Sequence, residues 1–214
     1  GGATALVVGH ATSVRTKPAL SAADWGYLTG VSCLSCFFGS LCVSKWLDEP
    51  AFALPPLVVS LGGLSMLCCF GILARNALAS GVTAMTRAAV VAAIAGSAAL
   101  VTAGLSEERR LFAATIASSC FLFANSVLLL LLARAKTSTL TTLAQFAKVS
   151  GSLSLLCANS IALEAHADAS LPYKLSGVLG ADFITAVATH TTPALCASFI
   201  ALLGSGIFAT AYYL

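Results

Sequence analysis

The stretch Leu111 to Ala133 limits what this chain can fold into more than any other: 23 residues without a charge, closing on the five leucines Leu128 to Leu132. As a helix it would rise about 35 Å, against about 30 Å for the hydrocarbon core of a bilayer. Glu107, Glu108, Arg109 and Arg110 fence one end, and Arg134 and Lys136 fence the other. This reads as a transmembrane helix, and the rest of the chain has the same character. Of its 214 residues 58% are apolar and 9% are charged, where soluble domains carry about 25% charge. Mean hydropathy is +0.95. The length suits one compact bundle, with no separate soluble domain. A net charge of +3 leaves no footprint for a nucleic-acid partner.

Five further stretches read as spans. The first, 24–47, opens on Ser21 and Asp24, a capping-box-like start, and carries Trp25, Tyr27 and Trp46 at its two interfaces. Asp48-Glu49-Pro50 stops it. The second, 54–74, has Pro55 and Pro56 in its first turn, Gly62-Gly63 inside it, and Arg75-Asn76 as its close. The third, 88–105, follows Arg87. It is almost all small residues, among them Ala92, Ala93, Gly96, Ser97 and Gly104, and is expected at the centre of the bundle. The span 111–133 follows after the short turn Ser106 to Arg110. Then come 143–165, with Lys148 near its start and Glu164 near its end, and 193–213, which Thr192 caps and Pro193 begins. The segment 171–190 has helical apolar spacing but carries Lys174 and Asp182, so it reads as an interfacial or re-entrant helix.

The expected fold is therefore an all-α integral membrane bundle of about six spans with short loops. Residues 1–23 form an extramembrane segment and 24–214 a single helical domain. With six spans, seven of the eleven Lys and Arg residues fall on the side that holds the N-terminus, and four on the other. That bias puts both termini on the cytoplasmic, matrix or stromal side. Arg15 and Lys17, with no acid before Asp24, echo an organellar transit peptide and equally fit a plain polar tail.

Chemistry-bearing residues are few. Cys33-Leu-Ser-Cys36 has the spacing of thiol redox and metal sites, but it lies within an apolar helix, where a reactive thiolate is disfavoured. The eight cysteines read mainly as small core filler. His10, His166 and His190 sit near interfaces, away from the mid-bilayer positions that would hold haem. No acid or base falls mid-span, which argues against a proton-coupled carrier. Asn125, Asn159 and Ser160 are polar at depth. They would bond helix to helix or, in the alternative, line a solute path. Ser150, Ser154, Cys157, Ile161 and Glu164 share a helical face with that option. Gly26 and Gly30 form a small-residue contact motif. No phosphate loop, hydrolase elbow, zinc-protease helix or dinucleotide fingerprint is present.

With no catalytic constellation and no expected catalytic, cofactor or metal residue, the first expectation is a non-catalytic accessory subunit of a large membrane complex. An energy-transducing complex fits best: a respiratory-chain complex, ATP synthase or photosystem, in the mitochondrial inner membrane or a plastid thylakoid. Its partners would be the other membrane subunits and lipids. The basic rim of Arg75, Arg87, Arg134 and Lys136 could hold anionic head groups such as cardiolipin. The alternatives are a small-solute carrier or channel using Asn125, Asn159 and Ser160, and a thiol oxidoreductase using Cys33 and Cys36.

Overall fold

Ser21 begins the first helix as its sequence implies. Its hydroxyl accepts the Asp24 backbone N–H at 3.2 Å, and the Asp24 carboxylate accepts the Ser21 N–H at 2.8 Å. The computed structural model describes residues 21–79, 82–135 and 139–166. All regular structure among them is helical, with no strand. The helices are α1 Ala22–Leu47, α2 Leu57–Ala79, α3 Ala84–Leu105, α4 Arg110–Arg134 and α5 Thr139–His166, with a 3-10 turn Pro50–Phe52 between α1 and α2. The segment 171–190 and the stretch 193–213 lie outside the described residues, as does most of 1–23.

Three segments are long and apolar enough to cross a membrane: Pro50–Arg75, Ala84–Leu105 and Arg110–Arg134. They contain the expected spans 54–74, 88–105 and 111–133.

Helix boundaries depart from the sequence reading where a terminus signal was overlooked. Pro55 and Pro56 stand ahead of α2 and outside its first turn. Their carbonyls accept the N–H groups of Val58 and Val59 at 3.0 and 2.9 Å, a role that needs no proline N–H. α2 runs a turn past Arg75 because no breaker intervenes before Ser80-Gly81. α3 begins at Ala84 because Thr83 caps it, accepting from the Thr86 N–H at 3.3 Å, so Arg87 lies within its first turn. α1 ends at Asp48, whose φ of 55° turns the chain left-handed.

Each helix packs on its neighbours in sequence, and small residues set the approach. A Cβ on Gly30 would lie 2.9 Å from the Gly62 carbonyl, and one on Gly62 3.1 Å from the Gly30 carbonyl. Together with Gly26, whose Cβ would lie 3.0 Å from the Ser65 carbonyl, those two glycines bring α1 and α2 backbone to backbone. The adjacent Gly63 points to α3: a Cβ there would meet the Val101 nitrogen at 2.8 Å and the Ser97 carbonyl at 2.9 Å. Consecutive helical residues project about 100° apart, so the Gly62-Gly63 pair lets α2 receive a helix on each side. α3 likewise has a helix on each side, α2 and α4. The apolar window of α2 is 39% buried against 22% for that of α3. The thin helix α3 packs closely on two sides and leaves Val91 and Leu105 exposed.

Large apolar side chains lie both inside and outside the described bundle, with Phe37, Met66, Leu73, Val127 and Leu132 buried. Also inside are alanines such as Ala93, Ala103, Ala113 and Ala117, together with Ser97, Gln145, Ser152 and Asn159. Outside are Leu57, Leu61, Leu64, Phe112, Ile116 and Phe123. In water such a bulky apolar perimeter would be an association surface, whereas in lipid it is the expected exterior. Trp25 and Trp46 are both exposed at opposite ends of α1, about 32 Å apart along the axis, close to the thickness of a hydrocarbon core.

Candidate functional site

The largest concentration of buried polar side chains lies where α4 meets α5. On α5 the residues Gln145, Ser152 and Asn159 recur every seven positions, and on α4 Ser118 and Asn125 are seven apart. A seven-residue repeat keeps one seam facing a partner when two helices cross at about 20° in the left-handed sense. The antiparallel register brings Asn125 to Ser152 and Ser118 to Asn159.

At the first level the Gln145 amide nitrogen donates to the Asn125 backbone carbonyl at 3.0 Å and to its side-chain oxygen at 3.2 Å. Asn125 Nδ2 donates to Ser152 Oγ at 3.1 Å, and Ser152 Oγ donates to the Lys148 carbonyl at 2.8 Å. The chain of donors thus ends on an α5 carbonyl, which accepts it as a second bond. Two helical turns away, Asn159 Nδ2 donates to Ser118 Oγ at 2.9 Å and to the Ala114 carbonyl at 3.4 Å. Ser118 Oγ donates in turn to the Ala114 carbonyl at 2.8 Å. These groups are neutral and already partnered, so the seam's chemistry is that of a helix-to-helix lock. Ser160 is half-buried and takes no part in either level.

Sequence reading found Asn125 and Asn159 but missed Gln145, Ser152 and Ser118. The seven-residue spacing of Gln145, Ser152 and Asn159 was the available signal. Of the face chosen instead, Ser150 and Cys157 are exposed on the far side of α5.

Lys148 also sits differently from the expectation. Because α5 starts at Thr139, Lys148 is its tenth residue and not one of its first. Its ammonium lies 5.8 Å from the ring centroid of Tyr27, which stands in the second turn of α1 beside the Ser21 cap. The α5 helix therefore begins beyond the level at which α1 begins, and Lys148 lies level with the second turn of α1. Tyr27 in turn meets Phe70 edge-on, at 6.4 Å between centroids, and Phe70 meets Phe121 at 6.4 Å. That row of rings ties α1, α2 and α4 together.

The remaining candidates are placed as follows. Arg75, Arg87 and Arg134 are all exposed and come to one end of the bundle, near the end of α2, the start of α3 and the end of α4. Lys136 lies outside the described residues. Cys33 is half-buried with its Cβ against Gly62, while Cys36 is exposed; both are free thiols. Among the described residues no three His, Cys, Asp or Glu side chains converge as metal ligands would. His10 and His190 lie outside the described residues. Comparison with protein-family models, curated proteins and solved structures finds no match.

Proposed function

We propose that this chain is a non-catalytic accessory subunit of a multi-subunit membrane complex, a scaffold whose work is to hold helices, lipids and neighbours in place. One observation carries the reading. The buried amides and hydroxyls of the α4–α5 seam bond to one another and to backbone, while the perimeter is bulky and apolar. A solute path or a reaction centre would turn those polar groups toward a cavity.

In this reading the chain crosses the bilayer six times. α1 and α5 cross as well, since each packs antiparallel along a helix that is itself long and apolar enough to span. The stretch 193–213 is the sixth pass, and both termini lie on the side of the Arg75, Arg87 and Arg134 rim. That rim, with Lys136, binds anionic lipid head groups such as cardiolipin. An energy-transducing complex of the mitochondrial inner membrane or the thylakoid is supported by the acid-poor N-terminal composition around Arg15 and Lys17.

The test is the native assembly state in mild detergent. An accessory subunit migrates with a large complex on native gels, and its antibody precipitates a constant set of membrane proteins. A lone 21.6 kDa species with no companions would overturn the proposal.

A further inference from the structure

α1 carries an open groove of about 420 Å³, lined by Trp25, Leu28, Thr29, Ser32 and Cys36 with Val58 of α2 beside them. From Trp25 to Cys36 it runs about 16 Å along the helix axis, about half the thickness of a hydrocarbon core. Many helical hydroxyls of this protein turn back onto the carbonyl of the preceding turn, as Ser35 does to Val31 at 2.6 Å and Ser118 to Ala114 at 2.8 Å. The hydroxyls of Thr29 and Ser32 are exposed and make no such bond among the described residues. Asp24 stands one turn ahead of Leu28, at the mouth of the groove. Ser21 donates to its Oδ2 twice, from the N–H at 2.8 Å and from the hydroxyl at 2.7 Å. Its Oδ1 accepts nothing among the described residues, and no described lysine or arginine pairs with it.

We propose that the groove holds one glycerophospholipid whose head group carries a primary ammonium. The fit is one of depth and charge. Trp25 stands at the level of the head group, where tryptophan is favoured. Thr29 and Ser32 follow one and two turns deeper, at the level of the ester carbonyls, which accept their O–H groups. One acyl chain then runs in the groove to Cys36, at the middle of the bilayer. At the mouth the ammonium donates to Asp24 Oδ1, a charge-assisted bond. A quaternary ammonium has no N–H to donate, and an anionic head group would meet the carboxylate with like charge. This chemistry is therefore distinct from that of the Arg75, Arg87 and Arg134 rim. The inference rests on the membrane reading of α1 and is independent of the accessory role, since lipid binding can be tested without any partner.

The full-length chain in mild detergent is given equal amounts of phosphatidylethanolamine and phosphatidylcholine with the same acyl chains, and the retained lipids are counted by native mass spectrometry. Phosphatidylethanolamine should be retained over phosphatidylcholine by about threefold, the worth of an exposed ion pair. Asp24→Asn keeps an acceptor for the Ser21 cap but loses the charge, and should abolish the preference. Ser32→Leu fills the groove from an exposed position and should abolish it too. Asp48→Asn, at the other end of α1, should leave it intact. Neither lipid carries a net charge, so the basic rim does not enter the comparison. Three results overturn the proposal: equal retention of the two lipids by the unsubstituted chain, a preference that survives Asp24→Asn or Ser32→Leu, or one that is lost with Asp48→Asn. Each would leave the native assembly state, and the accessory role it tests, untouched.

Discussion

At the scale of single residues, the closeness of the helices rests on hydrogen atoms standing where other residues carry a Cβ. Gly63 is a clear case, because two of the three atoms nearest a Cβ there are backbone, the Val101 nitrogen and the Ser97 carbonyl oxygen. Backbone cannot rotate away as a side-chain tip can, so Gly63→Val must push α2 and α3 apart. The expected loss is about 1–3 kcal/mol, the usual cost of overpacking. Reversible unfolding in mixed micelles would register it as an earlier midpoint. Gly71, on the same helix, has nothing within 4 Å of its Cβ position. Gly71→Ala should therefore lose nothing, and can gain up to about 1 kcal/mol from the lower backbone entropy of alanine. Equal losses at both positions would mean that α2 and α3 do not meet as described. Asp48 offers a different check. With φ at 55° it holds a conformation that glycine adopts without strain, so Asp48→Gly is expected to be neutral or mildly stabilising. Asp48→Val should cost about 1–2 kcal/mol in the same assay.

At the scale of helices, the α4–α5 seam is the element whose energetics can be dissected. Asn125→Ala removes the acceptor of Gln145 Nε2 and the donor to Ser152. Interhelical hydrogen bonds in membranes measure about 0.6 kcal/mol on average and seldom exceed about 1.7 kcal/mol. Gln145, 3% exposed, would keep its bond to the residue-125 backbone but lose its side-chain partner. A double-mutant cycle of Asn125→Ala with Gln145→Ala should give a coupling of about 0.5 kcal/mol or more, and one of Asn125→Ala with Asn159→Ala should be additive, because the two levels share no partner. Vanishing coupling in the first cycle would mean that the seam bonds are not formed. Much of this element was legible in the sequence and some was not. Charge-free length fixed α4 to within a residue at each end, and the Ser21–Asp24 box placed the start of α1 to within two residues. Thr83 as a cap was overlooked because Arg87 looked like a boundary, although a charged residue is compatible with a first turn. Asn125 and Asn159 stood out as amides in apolar surroundings. Gln145 did not, because it lies near a helix end where a polar residue excites no notice until its spacing to Ser152 and Asn159 is counted. The small residues of α3 showed that it packs closely, and it does so on two sides, against α2 and α4.

At the scale of the molecule, the distribution of side chains and the alternation of helices make one statement about environment. Trp25 and Trp46 mark the two ends of α1, the bulky apolar residues face outward between those levels, and charges gather at the ends. If α2, α3 and α4 each cross a bilayer, the connections at their ends must appear on alternate sides of it. Glu49 precedes α2, Val82 lies between α2 and α3, Glu107 between α3 and α4, and Ala135 just after α4. Thiols introduced one at a time as Glu49→Cys, Val82→Cys, Glu107→Cys and Ala135→Cys therefore divide into two pairs. In sealed vesicles of one orientation, a membrane-impermeant maleimide should label Val82→Cys and Ala135→Cys from one side, and Glu49→Cys and Glu107→Cys only from the other or after permeabilisation. The unsubstituted chain, with its exposed Cys36, Cys68 and Cys157, supplies the background to be subtracted. On the six-pass reading proposed above, Val82→Cys and Ala135→Cys are expected to label from the cytoplasmic, matrix or stromal side. Labelling of all four positions from the same side would remove the membrane-spanning arrangement, and with it the reason for an exterior made of leucine and phenylalanine. Correct pairing with the opposite polarity would leave the spans intact and overturn only the orientation drawn from the charges.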